Sequence, residues 1–570
     1  MNHMHLDALR ARFNPALGLI TGHVYGVGYH TRLPGHAPAH PYRENAVHAF
    51  AFLSSDLPVD QALGRKLLTR VLAGQNTDPA SPWYGLWSWF AEESLTEMNP
   101  ADWNWADFLG SSLLEIIVRV PDRLDAELLT ASREALGHAA WSIFRRNVTL
   151  DYTNIAVLGT AVTLAAGHAL NEPRLTSYGQ SRLRALRHHI EARGVGEYNS
   201  PNYYLGDIGD LERLLALPLT EDLRSDANSL LRLFWQQIAH HFHPPTGQWA
   251  GPHSRAYTDW ISAKAATFLE ARLGFPLPGK RQPAEGKNPN APVLGLTDAH
   301  TVEAPLIACS ADLRPRFQRL PPTPFEHREV WTRTAAGHPR LISTTWMTET
   351  IAFGSINHGL AWNQCQPVVA YWRGPSESYG RLRVRVLLEG RDFASAQIRS
   401  SQSGPSLLGA VDFSPKEGTY HPHFDKPADG VFHMRDLRLR FEFCGSTAHA
   451  APADERSPRW RLAAAGGSFI LNPGPGWFDG QPVTRWEAGG EGDLAWVDAI
   501  FHAGEAHAFH PEKSGTTLLS FALAWQADSA PSAILHPITL ERAGDYHEAR
   551  IELDGQPALA LTIPFPANRS

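Results

Sequence analysis

The chain has 570 residues, 43% hydrophobic and 19% charged, and its 51 basic against 58 acidic side chains leave a net charge of −7. That apolar fraction excludes a disordered chain, and the length exceeds what one ordinary core supports, so several domains are expected. A mildly acidic chain has no basic field for nucleic acid or for an anionic membrane, so neither is expected as a partner.

Met1 to Gly22 shows no basic stretch followed by an apolar run, so the chain as given reads as cytoplasmic, or as periplasmic or secreted if an export segment has been lost. No apolar run approaches the roughly 20 residues that span a bilayer. Cys309, Cys365 and Cys444 are too far apart for a CxxC motif, which argues against a disulfide framework or a thiolate zinc site. The 18 Trp, 14 Tyr and 25 Phe are the outlying part of the composition. They serve either as large core anchors or as the wall of a groove for flat sugar faces.

The first dense aromatic run is Pro82 to Phe90, with Trp83, Tyr84 and Trp87 as candidate stacking residues. From Ala106 the period is helical: Phe108, Leu109, Leu113, Leu114, Ile116 and Ile117 share a face, and Leu124–Arg146 continues the pattern. Asp151-Tyr152-Thr153-Asn154 precedes a third helix, Ile155–Leu170, whose Ala, Val and Leu content suits a tightly packed inner position. Asn154 is either its cap or a substrate ligand. Further helices are predicted over Leu223–Phe242 and Ile261–Leu273.

Two polar segments interrupt this half. Glu197-Tyr198-Asn199-Ser200-Pro201-Asn202-Tyr203-Tyr204 concentrates amides and phenols around a proline that forbids a helix interior. Gly251 to Trp260 places His253, Arg255 and Tyr257 at alternate positions, so an extended backbone would point all three to one side. Residues 276–299 read as a Pro- and Gly-rich linker. Beyond it the period becomes two, with strands predicted at Glu329–Thr334, Leu341–Met347, Leu382–Leu388, Leu407–Phe413, Leu437–Phe443, Ser468–Leu471, Leu494–Phe501, Thr517–Trp525 and Tyr546–Leu553. Strands without intervening helices imply antiparallel sheets stacked as a sandwich. The fold expected is therefore α+β and multidomain: an N-terminal helical domain over 1–275 and a C-terminal antiparallel β-sandwich over 300–570.

The polar segments match one chemistry well. β-Elimination at a uronic acid removes the C5 proton, which requires the substrate carboxylate to be neutralised, a base for that proton and an acid for the O4 leaving group. Asn199, Asn202, His253, Arg255 and Tyr257 supply those groups. Glu197, Asp207, Asp210 and Asp259 leave open glycoside hydrolysis, which needs two carboxylates flanking the bond. A non-catalytic carbohydrate-binding protein is the third reading.

With its helical half, all-β half and Asn/His/Arg/Tyr segments, the chain resembles the toroid-plus-sandwich polysaccharide lyases, the heparinase II/III-like and chondroitin AC, hyaluronate and alginate lyase group. The resemblance implies an (α/α) toroid for the helical half and β-elimination of an acidic polysaccharide or oligosaccharide. It implies Asn199 or Asn202 as neutralisers, Tyr257 and His253 as the proton-transfer groups and Arg255 nearby. Apart from Asn2-His3 near the N-terminus, the Asn-His pair of the alginate branch is missing from the helical half; the other adjacent pair is Asn357-His358. In such relatives a sandwich loop reaches the cleft, which nominates His358 and its neighbour Trp362. Trp83, Tyr84, Trp87, Asn154, Glu197 and Tyr203 complete the substrate-binding set.

No cofactor is called for. His240, His241 and His243, and separately His421, His423, Asp425 and His433, are zinc-type donors at spacings that match no firm motif, so a structural metal is only the minor alternative. Gly26-Val27-Gly28 lacks the strand and third glycine of a nucleotide loop.

Overall fold

The computed structural model describes residues 3–24, 30–282, 306–331, 340–413, 427, 429–453, 458–511, 513–528 and 535–565. The expected linker therefore lies outside the described residues from 283 onwards, as do His421, His423, Asp425 and Gly26-Val27-Gly28. The chain divides into two compact units. One holds residues 1–197, 203–234 and 292–307; the other holds 198–202, 235–291 and 308–570.

The first unit is helical. Among the described residues the α-helices are, in chain order, α1 (His3–Arg10), α2 (Tyr42–Leu53), α3 (Pro58–Leu72), α4 (Asn104–Arg119), α5 (Ala126–Arg146), α6 (Thr153–Ala169), α7 (Pro173–Arg193), α8 (Tyr203–Leu215), α9 (Glu221–His241) and α10 (Ala263–Leu273), the end of α9 and all of α10 belonging to the second unit. They pack as successive hairpins, α2 on α3, α4 on α5 and α6 on α7, while α2, α4, α6 and α8 follow one another as an inner row. Composition explains the two rows. α6 is Ala-, Val- and Leu-rich and buried nearly all round, whereas α7 buries only Leu175, Gly179, Leu183, Leu186 and Ile190 and turns its arginines outward. α8 begins at Tyr203, just beyond Pro201, as the proline requires. No described helix is long and apolar enough to cross a membrane.

The second unit is built on antiparallel sheets. Among the described residues the larger sheet runs in the order Trp486–Glu491, Leu494–Phe509, Phe432–Cys444, Tyr379–Leu388, Val368–Arg373, Ile351–Ile356, Leu341–Met347 and Phe325–Trp331. The next runs His358–Leu360, Ala396–Ser403, Ser406–Phe413, Leu518–Ala527, Gly467–Phe478, Trp460–Ala464 and His449–Pro452. One apolar core joins them, with Phe353, Trp372, Val384 and Phe441 from the first sheet meeting Val411, Phe469, Leu471 and Phe521 from the second. A three-stranded sheet, Thr539–Ala543, Tyr546–Leu553 and Gln556–Pro564, covers the far side of the second, where Leu408, Ala410 and Ala522 meet Ala549, Ile551 and Leu561. Leu407 and Leu408 thus serve opposite cores, as period-two alternation dictates.

The outer face of the larger sheet is charged and yet buried. Along Tyr379–Leu388, Leu382, Val384 and Val386 enter the core while Arg381, Arg383 and Arg385 point the other way, each under 10% exposed. Acids meet them. Arg385 forms a two-pronged pair with Asp392 (2.8 and 2.8 Å) and donates to Glu442 at 2.7 Å. Arg381 reaches Glu442 at 3.3 Å and Asp259 at 2.9 Å. Asp259 belongs to the loop that follows Tyr257, so these arginines tie that loop to the sheet.

Candidate functional site

The second unit gathers the segments at 198–202, 250–260 and 362–366. His253 and Gln366 exchange backbone hydrogen bonds, 3.0 Å from the His253 N–H and 2.9 Å from the Gln366 N–H, and the Ala256 N–H donates to the Gln364 carbonyl at 2.7 Å. The turn that leads in lies tight on the sheet. A Cβ on Gly354 would stand 1.9 Å from the Gly251 carbonyl oxygen, and one on Gly251 would stand 2.0 Å from a Val369 methyl, so both positions need glycine.

The alternation expected of His253, Arg255 and Tyr257 is not realised. The backbone bends at 254–255 and again over 257–260, so the segment is not the continuous extended strand on which that alternation depended. His253 is 2% exposed, and its Nδ1 donates to the Asn199 carbonyl at 2.8 Å. Burial lowers its pKa to about 4, against the opposing pull of the Asn199 carbonyl, so the ring is neutral at neutral pH. Arg255 and Tyr257 stay half-buried. The Arg255 guanidinium lies 5.0 Å from the centre of the Trp362 ring and donates to the Ser254 carbonyl at 2.8 Å. Asn202, also half-buried, accepts the Tyr257 backbone N–H through Oδ1 at 2.9 Å.

Asn199, expected to hold a substrate carboxylate, has its amide engaged in the fold instead. Nδ2 donates to the carbonyls of Ala250 (2.9 Å) and Pro252 (2.7 Å), Oδ1 accepts the Trp249 indole N–H at 2.6 Å, and the residue is 1% exposed. Its φ of +45° suits Asn better than most side chains. His358 is not on a loop. It lies in the strand His358–Leu360, is 4% exposed, and its Nε2 pairs with the Gln397 side chain. Trp362 is buried with Leu360, Cys365 and Ala394.

The remaining nominated residues belong to the first unit. Trp87 is fully buried and donates its indole N–H to the Val71 carbonyl at 2.8 Å; Tyr84 is buried with its hydroxyl 2.7 Å from His138 Nδ1. Both are core anchors. Trp83 is half-buried against the same core, and Tyr203 is half-buried at the start of α8. Asn154 does not cap α6; the Glu197 carboxylate accepts the Asn154 backbone N–H at 3.1 Å, placing a negative charge at the helix N-terminus. Burial pushes the Asp207 carboxyl well up, with Glu197 and Asp210 adding to the shift, and pushes Asp210 to about 6 against the pull of Arg213.

Two features escaped the sequence reading. The buried arginines were signalled by Arg-Leu-Arg-Val-Arg-Val at 381–386, a strand pattern whose polar face carries only cations and so demands acids opposite. The second is a donor cluster, of which the sequence had singled out His241 but not its partners. His241, at the end of α9, meets His327 and Glu329 of the strand Phe325–Trp331. His243 is buried nearby with its ring bonded to Thr246 and the Thr348 carbonyl, and His433 is exposed. A cleft of about 1000 Å³ elsewhere in this unit is lined by Pro244, Pro245, Phe275, Phe317 and Arg373 among others, and by none of the nominated residues.

Comparison with known proteins adds the following. A family described as a domain of unknown function (DUF8769) matches residues 23–275. No curated protein matches the chain. Among solved structures the chain is similar to a crystal structure of heparinase III, at 10% identity and a TM-score of 0.41, covering 91% of this chain and 83% of that one. It is also similar to a second heparinase III structure, with methylated lysines, at 9% identity and a TM-score of 0.36, covering 92% and 83% respectively.

Proposed function

We propose that the protein is a polysaccharide lyase that cleaves a uronic-acid-containing glycan by β-elimination, with its helical hairpins forming an (α/α) toroid. The observation that carries the reading is the grouping of Asn202, Arg255, Tyr257 and Trp362 on one framework in the second unit. An amide, a guanidinium and a phenol there retain partial exposure, with an indole beneath the guanidinium. That is the set a uronate needs: cationic and amide donors for its carboxylate, a proton-transfer group for C5 and O4, and an apolar face for the ring.

Arg255 and the Asn202 amide hold the substrate carboxylate and stabilise the charge that spreads onto it when the C5–H bond breaks. Tyr257 as phenolate takes the C5 proton. The electron pair forms the C4–C5 double bond, the C4–O4 bond breaks, and the phenol returns the proton to the leaving oxygen. His253, the alternative base, is ill suited to the part because its ring is buried and its Nδ1 proton is committed to Asn199. Asn199 and His253 act instead as positioning residues for the turn. Of the carboxylates open to the hydrolase reading, Asp259 is committed to Arg381 and Arg383.

The test is incubation of the purified protein with a panel of uronate polymers, followed in the far ultraviolet. The expected result is the absorbance of a C4–C5 unsaturated product. New reducing ends without that absorbance would establish hydrolysis in its place.

A further inference from the structure

We propose that His241, His327 and Glu329 form a binding site for a first-row divalent transition metal, with zinc as its best-suited occupant. Their ligand atoms all lie within 4.8 Å of one another, and His241 Nε2 and His327 Nε2 each stand 3.6 Å from Glu329 Oε2. Donors at about 2.0–2.1 Å around a tetrahedral ion lie about 3.3 Å apart. The observed spacing is thus close to a coordination shell and too long for hydrogen bonds.

The orphaned atoms give the second observation. His241 Nε2, His327 Nε2 and Glu329 Oε2 are each buried without a hydrogen-bond partner. Three such unpartnered polar atoms, one of them on a carboxylate, would be costly facing one another unless something positive joined them. The surrounding bonds hold two of the three donors, His241 and Glu329, in the ligating state. The Thr345 hydroxyl donates to the Gly251 carbonyl at 2.7 Å, so its oxygen accepts from His241 Nδ1 at 2.9 Å. The proton of His241 is therefore on Nδ1, and the Nε2 lone pair points at the carboxylate. The other Glu329 oxygen accepts from Gln237 Nε2 at 3.3 Å. A histidine and a carboxylate each held by an outer partner are the usual support of a metal ligand set. Arg316 is not the missing counterion: it donates to the Arg319 carbonyl and lies over the Phe325 ring.

The sheet register makes the cluster. His327 and Glu329 alternate onto one face of the end strand, and His327 is paired with Thr345 on its neighbour. Two imidazoles and a carboxylate form a borderline-soft N₂O set that suits zinc and leaves a fourth position for water. A metal here would clamp the end of α9 to the outermost described strand of the sheet. Through Thr345 it would also bear on the Gly251 turn that leads to Tyr257. The metal proposal does not depend on the lyase reading.

The test is metal analysis of the full chain, purified with a tag that binds no metal and without chelators. About one equivalent of zinc or a neighbouring first-row metal per chain is expected. After removal by a chelator, Co²⁺ alone should restore occupancy and give the visible absorption of a four- or five-coordinate cobalt centre. His327→Ala and Glu329→Gln should each weaken zinc affinity by about a hundredfold or more. If Glu329→Gln fails to fold, His327→Ala carries the comparison, its side chain being 21% exposed. A wild-type chain that retains no metal after dialysis from excess zinc overturns the proposal. So does a folded His327→Ala chain that retains as much as wild type.

Discussion

The side chain of Asn202 accepts the backbone N–H of Tyr257 at 2.9 Å, joining positions 55 residues apart. One neutral hydrogen bond of this kind contributes only about 1 kcal/mol, but it sets where the Tyr257 ring leaves the backbone. The amide and the phenol are thereby brought into one locality by the fold.

Tyr257→Phe removes one oxygen and keeps the ring. The folded variant should lose unsaturated-product formation by about a hundredfold or more, with kcat falling rather than KM rising. Near-normal turnover would remove Tyr257 from the mechanism.

Asn199→Ala should be a stability variant. It strands the Trp249 indole N–H and the Ala250 and Pro252 carbonyls, and places alanine at a φ of +45°. The expected loss is about 3 kcal/mol or more in urea unfolding. Asn199→Asp should fare no better, because a carboxylate cannot donate to two carbonyls. An unchanged unfolding midpoint would show that the turn is held without Asn199.

His253 should make the fold acid-sensitive. Its pKa is about 4 when folded and near 6.5 in an unfolded chain, so unfolding takes up a proton between those values. Its contribution is complete above pH 6.5 and is lost as pH falls towards 4, adding about 1.4 kcal/mol per pH unit to the slope. Urea midpoints measured from pH 8 to pH 4 should fall more steeply for wild type than for His253→Gln, in which an amide can still donate to the Asn199 carbonyl. Parallel curves would exclude this role.

Glu442→Leu should leave Arg381 and Arg385 short of charge on the buried sheet face, at a cost of about 3–5 kcal/mol. Burial opposes ionisation of Glu442, but Arg385, Arg381 and Arg383 outweigh it and hold the pKa at about 2. The wild-type contribution is therefore present above about pH 4.5 and lost as pH falls towards 2. Wild type and variant should converge in stability over that range, which equilibrium unfolding at stepped pH would show.

The sequence by itself determined the two kinds of secondary structure and the order in which they come. A 3.6-residue apolar period marks α4, α5, α6, α9 and α10, and a two-residue period marks strands such as Leu341–Met347 and Tyr379–Leu388, because each period is fixed by local backbone geometry. It missed α2, whose residues are buried nearly all round and so show no amphipathic stripe. It also missed Ile351–Ile356 and Val368–Arg373, which are buried almost throughout and do not alternate. Only the tertiary structure decided which polar side chains remain available for chemistry. Asn199 and Asn202 are the same residue type three positions apart, yet one has its amide used up by carbonyls some 50 residues away and the other stays half-buried. His241, His327 and Glu329 likewise come together because a helix end meets a strand edge. Such pairings depend on which segments pack against each other, and no local period in the chain encodes that.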